Sequence, residues 1–340
     1  MRGAHPMVVD ARSLLRLNVG LGLAAVFTCL LALTAGPGSL EWASVLSDTL
    51  GVDSVIVFEV RLPRVLMGFI LGAGLAVVGA VFQALMRNPL ADPYILGVSG
   101  GAALGGALGL ALVPLGITLL GPQLCAFIGA LVSIAALFRL ARNRTGDAAL
   151  VLLLGGVVFN AFAAACILLL ESLLRAEQAQ AILQWLMGTL RLDGTPRGLL
   201  LGVGLAVACS VAYALSQANV LNLMALDEGQ AQASGLDLQK AQRRLLLCVS
   251  VIVGAVVGVG GLIGFVGLVV PHIARRWLGP DHRLLLPASA WLGGGLLVLC
   301  DATTRALFDV LHTDLPVGVV TAFVGAPVFL FLLARPSGAR

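Results

Sequence analysis

The 340 residues predict an all-α polytopic membrane protein of about ten transmembrane helices, and three observations carry that prediction. Apolar residues make up 59% of the chain, about 200 residues where one bilayer-crossing helix needs roughly 20. Charged residues are 11%, against roughly 25% in a soluble domain. The apolar residues gather into runs of spanning length, separated by short polar breaks.

The runs follow in order. The first, near 15–35, comes after Arg12 and Arg16, as a signal peptide's apolar stretch would. Nothing resembling a soluble mature protein follows it, so a retained helix is expected. Runs near 62–85, 95–113, 117–140, 148–171 and 197–216 come next. The seventh (244–262) and eighth (263–276) form one Gly-rich run broken near "GVGGLIG" (258–264), and the ninth (284–304) and tenth (316–334) complete the set. The longest polar breaks are 36–60 and 217–243, so a single membrane domain, 1–340, is expected. Glycine recurs within the runs, as in "GFILGAGLAVVGA". Small residues let helices approach closely in lipid, which favours a dense bundle.

The distribution of positive charge orients the chain. With the N-terminus in the cytoplasm, fifteen Lys and Arg residues fall inside and six (Arg61, Arg64, Arg175, Arg191, Arg197, Arg305) fall outside. Cytoplasmic segments carry the excess of basic residues, so ten spans place both termini in the cytoplasm. The net charge of +4 then divides into a basic inside and an acidic outside. No basic tract interleaved with aromatics points to nucleic acid. A shared Gly- and Val-rich texture suggests two five-helix halves of inverted orientation, about 14–172 and 195–335, as in many transporters.

Several chemistries are disfavoured. A P-loop needs a lysine after its glycines, and the only lysine, Lys240, follows "DLQ". An ion-coupled secondary transporter commonly carries ionisable groups at mid-membrane. Here Asp147, Glu171 and Asp301 lie at run ends and the middles are empty. The "GVSGG" stretch (97–101) could place Ser99 as the nucleophile of an intramembrane serine hydrolase with His272 as its base; a serine in a Gly-rich turn is the simpler account. The six cysteines show no CxxC spacing and read as small buried hydrophobes. The four histidines lie in separate segments with no metal-ligand spacing. Residues 224–244, "MALDEGQAQASGLDLQKAQRR", read as a short polar helix with Asp227 and Glu228 at its start and Gly235 as its C-cap.

Residues 59–101, "EVRLPRVLMGFILGAGLAVVGAVFQALMRNPLADPYILGVSGG", closely resemble the FecCD-type permeases, the membrane subunits of type II ABC importers for ferric siderophores, haem and vitamin B12. "ILQWLMGTL" (182–190), "LIGFVGLVVPHIARRWLGPDHR" (262–283) and "DLPVGVVTAFVGAPVFLFLLAR" (314–335) extend the resemblance from about residue 14 to the end. It implies ten helices per subunit and a homodimer in the bacterial inner membrane. It also implies two ATPase subunits that hold ATP and Mg, a periplasmic binding protein, and a metal-chelate cargo moving from periplasm to cytoplasm. No catalytic residue, metal site or cofactor is expected on this chain. The resemblance further implies a cytoplasmic coupling helix at about 225–238, with Leu226, Asp227, Glu228, Gly229, Ala233, Gly235 and Leu236 against the ATPase. In the family the fifth helix and neighbouring loops line the path, which makes Thr145, Gly155, Gly156 and Asn160 gate candidates. Asn160 has the alternative of an interhelical hydrogen bond. Arg61, Arg64 and Arg305 would receive acidic residues of the binding protein, or else snorkel to the interface.

Overall fold

The computed structural model of the chain describes residues 11–38, 41–47, 51–92, 94, 97–113, 121–141, 148–192, 195–225 and 237–334. The described residues are helical, with no strand among them. The elements are α1 (Ala11–Thr34), α2 (Trp42–Ser47), α3 (Val52–Val55), a π-helical turn (Ile56–Arg61), α4 (Leu62–Leu85), α5 (Val98–Leu112) and α6 (Pro122–Ala141). They continue as α7 (Ala148–Leu173), α8 (Ala176–Leu186), α9 (Arg197–Ser216), α10 (Ala218–Met224), α11 (Leu238–Gly260), α12 (Val266–Leu278), α13 (His282–Leu311) and α14 (Val317–Ala334).

A helix falls on each predicted apolar run. Seven of the described helices are long and apolar enough to cross a membrane: α1, the continuous stretch Val52–Leu85, α6, α7, α9, α11 and α13. Three predicted runs yield helices outside this set: α5, α12 and the 18-residue α14. The 15 residues of α5 and the 13 of α12 reach about 22 and 20 Å at 1.5 Å per residue. A hydrocarbon core is about 30 Å thick, so each is shorter than that core over its described residues.

Three boundaries differ from the sequence expectation. The chain is helical from Val52, inside the predicted outer break. Asp53 is tolerated there because Ser44 Oγ donates to its Oδ2 at 2.6 Å, and Glu59 because it pairs with Arg197. Next, α11 starts at Leu238, where the Asp237 side chain accepts the Lys240 N–H at 3.0 Å and caps it. Last, α13 runs through Asp301 and Arg305 to Leu311. Asp301 therefore sits inside a helix, and the expectation that ionisable groups occupy only run ends is corrected. Its charge is matched by arginines, so the helix has no need to stop there.

The core is built around α4. Leu71, Leu75, Ala76, Val77, Val78 and Phe82 are fully buried; a helix apolar on every side is one enclosed by others. It packs against α9, α11, α12 and α13. At the α4–α13 crossing Gly72 meets Gly293. A Cβ on Gly293 would lie 2.6 Å from the Gly72 carbonyl oxygen, so only glycine permits this approach.

Candidate functional site

Three polar constructions interrupt the apolar bundle. The first lies where α5 begins. Gly97 turns through φ 75°, a left-handed conformation that glycine adopts without cost, and α5 starts at the next residue. Ser99 Oγ donates to the Tyr94 carbonyl at 2.9 Å. Asn160, midway along α7, donates through Nδ2 to the same carbonyl at 2.8 Å, and its Oδ1 accepts the Gly100 N–H at 3.1 Å. That N–H is one of the first-turn donors a helix leaves unsatisfied. The Tyr94 hydroxyl accepts the Ile263 N–H at 3.2 Å, in the break between α11 and α12. Asn160 and Tyr94 thus tie together three interrupted segments.

Beside this lash is a groove of about 400 Å³, bounded by α5, α7, α8 and Leu262. Asn160, Ala163, Ala164, Ile167, Leu168 and Glu171 line it, at the i, i+3, i+4 spacing of a single helical face. Gly155 and Gly156 are not among its lining residues. A Cβ on Gly155 would meet the Leu137 side chain at 3.0 Å, and Gly156 lies against the Gly97 turn. Thr145 lies outside the described residues. The hydrolase reading has no support here. The Ser99 hydroxyl is committed to a backbone carbonyl, and the His272 ring packs edge-on to Phe329, with centroids 6.4 Å apart.

The second construction gathers the predicted arginines. Arg64 Nε donates to Asp301 Oδ1 at 2.9 Å, and its Nη2 lies 2.8 Å from the same oxygen. Arg305, one helical turn beyond Asp301, donates through Nε to Oδ2 at 3.0 Å. Its Nη1 donates to the Ala35 carbonyl at 2.6 Å. Arg61 donates to the carbonyls of Leu33 (2.9 Å), Thr34 (3.3 Å) and Pro37 (3.2 Å), closing the end of α1. Arg64 and Arg305 meet on Asp301, with Arg61 just before the start of α4. Arg61 and Arg305 are buried, at 4% and 7% exposure, and so are structural fasteners rather than snorkelling side chains; Arg64 is the partly exposed member. Asp301, the hub, was passed over in the sequence as a span-end acid. Its i, i+4 spacing to Arg305 was the available signal.

The third construction is at the base of α10. Asn222 Nδ2 donates to Asp281 Oδ1 at 2.8 Å, and Asn222 Oδ1 accepts the His282 N–H at 2.8 Å. Asp281 also caps α13 by accepting the Arg283 N–H at 3.0 Å. The Arg283 side chain, and then Asn222, hold its carboxyl well below the usual range. Arg87 Nε donates to the Met224 carbonyl at 3.1 Å. These bonds fix the end of α10. The predicted coupling residues Leu226, Asp227, Glu228, Gly229, Ala233, Gly235 and Leu236 lie outside the described residues, between this anchor and the Asp237 cap of α11. Among the described residues no cluster of His, Cys, Asp or Glu has the makings of a metal site.

The comparisons with known proteins agree with one another. A family model described as the FecCD transport family matches residues 24–335. A probable iron chelatin transport system permease protein of Helicobacter pylori is 37% identical over 331 residues, covering 94% of this chain and 98% of the relative. A cobalamin import system permease protein of Halobacterium salinarum is 40% identical over 281 residues, 82% of this chain and 73% of the relative. Among solved structures, an inward-facing conformation of a putative metal-chelate type ABC transporter superposes with a TM-score of 0.82 at 31% identity, over 95% of this chain and all of the other.

Proposed function

This chain belongs to the FecCD transport family of permease subunits, and on that premise we propose that it is the membrane subunit of an ATP-driven importer carrying a metal chelate from periplasm to cytoplasm. The observation that carries this is the likeness to the metal-chelate type transporter along nearly the whole fold. The chain is a multi-pass membrane protein and not an enzyme. In the proposed assembly two copies sit in the inner membrane with two ATPase subunits, which hold ATP and Mg, and a periplasmic binding protein. Relatives named for iron chelatin and for cobalamin support the class of cargo, a metal held inside a bulky chelate.

The chain functions in this proposal as one domain, 1–340, of ten spans in two inverted halves, with both termini in the cytoplasm. The excess of basic residues on one side supports that orientation. The groove beside α7, open along one side of the single chain, supports a translocation path completed by a second copy. Asn160 on its wall is the gate candidate that geometry favours, through bonds that a helix shift would break. The segment 225–238 is the coupling helix in this reading, supported by the firm anchors on either side of it. ATP binding would close the ATPases, move the coupling helices and rock the two permeases. Arg64 is the docking contact for the binding protein, with Arg61 and Arg305 holding the cluster beneath it.

The test is reconstitution of the chain with its ATPase and binding protein in proteoliposomes. ATP-dependent uptake of the chelate retained by the binding protein, unaffected by an ionophore, is the expected result. Uptake that proceeds without ATP and collapses with the ionophore would sink the proposal.

A further inference from the structure

The groove beside α7 is mostly apolar, with the uncharged polar groups of Tyr94, Ser99 and Asn160 at one end. Glu171 is the only charged side chain among its described lining residues. Its Oε1 is buried, with no hydrogen-bond partner among the described residues, and it takes part in none of the described ion pairs. Elsewhere in the bundle the buried acid is matched: Asp301 has two arginines. Glu171 is half-buried, with one carboxyl oxygen set among the apolar side chains of the groove and the residue open on its other side.

Glu171 shares the groove face with Asn160, eleven residues away, or about 16 Å along α7 at 1.5 Å per residue. The wall between them is Ala163, Ala164, Ile167 and Leu168. A molecule that lies along this face meets an amide at one end, an apolar wall, and a bare carboxylate at the other.

We propose that Glu171 is a cargo-selecting residue, and that the groove takes a chelate with an apolar body presenting an ammonium or other cationic hydrogen-bond donor toward the outer end of α7. The inference rests on the permease reading, since it assigns the groove to the path. Complementarity sets the sign: the carboxylate accepts from a cationic donor and repels an anionic chelate, which discriminates by repulsion as much as by attraction. The carboxylate also raises the local concentration of cations in a low-dielectric cleft.

A thiol placed on the same face reads that field without knowledge of the natural cargo. Leu168 is 66% exposed and lines the groove one turn from Glu171. In the full chain in nanodiscs, Leu168→Cys is treated with a cationic and an anionic methanethiosulfonate of similar size. Modification at position 168 is followed by peptide mass spectrometry; Ala164→Cys serves as the second position should Leu168→Cys fail to fold. One charge about 6 Å away, screened as in water, alters each rate about threefold in opposite directions, so adding Glu171→Gln is expected to lower the cation-to-anion rate ratio roughly tenfold. A ratio unchanged by Glu171→Gln, or a thiol that reacts with neither reagent, overturns the proposal. The two readings fail separately. Loss of ATP-dependent uptake in the reconstituted importer sinks the permease reading whatever the thiol rates, and an unchanged ratio sinks this one whatever the uptake.

Discussion

Two of the polar joints in this bundle are made of different chemistry. In one, Asp301 is clamped between the guanidiniums of Arg64 and Arg305. In the groove, Asn160 lashes α7 to the Tyr94–Gly100 segment with two neutral hydrogen bonds. Charged hydrogen bonds are roughly twice as strong as neutral ones, and removing one partner strands a charge in a poor solvent. The neutral lash loses far less when it opens. On the proposed reading this is a division of labour, with the ionic joint at the proposed docking surface and the amide joint beside the proposed path.

The comparison is most severely tested at its hub. Asp301→Asn leaves two guanidiniums facing each other, and breaking a buried pair in this way costs about 3–5 kcal/mol. We expect a large fall in the thermal midpoint in detergent, and recovery of most of it when Arg64 and Arg305 are replaced by methionine in the same variant. A midpoint unchanged by Asp301→Asn would mean that the ionic joint holds nothing.

Asn160→Ala is expected to lose less, about 1–2 kcal/mol for two neutral bonds. Interhelical hydrogen bonds in membranes average about 0.6 kcal/mol, so the loss could fall at the low end. Chelate-stimulated ATPase activity should become less tightly coupled to uptake in this variant. An effect as large as that of Asp301→Asn would erase the distinction between the joints.

The fold was legible in the sequence wherever apolar periodicity and length agreed. Each predicted run carries a helix, and the break near 258–264 falls between α11 and α12, where Gly261 and Phe265 turn through φ 67° and 68°. What escaped was tertiary compensation. Asp301 and Arg305 look like the end of a span until the partner at Arg64, 237 residues earlier in the chain, is known. Asn160 was visible as the polar residue of its helix. Tyr94, which receives it, gave no sign, because a backbone carbonyl has no sequence signature. Glu171 reads in the sequence as a terminal acid, while the i, i+3, i+4 spacing from Asn160 along α7 puts it on the groove face.

A third joint offers an intermediate case. Asp281 caps α13 and ties α10 to it, with its carboxyl held low by Arg283 and Asn222. A depressed carboxyl contributes stability above the unfolded value of about 3.9 and loses it as pH falls below that value. Asp281→Ala should therefore cost about 1 kcal/mol at neutral pH, as cap removals do. The difference from the unsubstituted chain should narrow on acidification through pH 4 and below. A gap that widened there would reverse the sign of this account.

The smallest effect is expected at Ser99. Ser99→Ala removes one hydrogen bond to the Tyr94 carbonyl, which keeps the bond from Asn160. The loss should be about 0.5–1 kcal/mol, with ATP-driven uptake retained. Abolished function with an intact fold would reopen the case for chemistry at that hydroxyl.

The fasteners of α1 have a consequence for the order of assembly. Much of this helix is bare, with Leu15, Leu23, Phe27 and Leu30 more than half exposed. It is held by few polar ties: Arg61 at its end, Trp291 donating to Asn18 Oδ1 at 3.2 Å, and Arg305 on the Ala35 carbonyl. The last tie joins residues 270 positions apart. At 5–20 residues per second of synthesis, roughly 15–50 s separate the emergence of α1 from that of the arginine that secures it. During that interval α1 has its packing on α4 and the Arg61 tie, but not its ties to α13. Its remaining polar ties close only once Trp291 and Arg305 arrive.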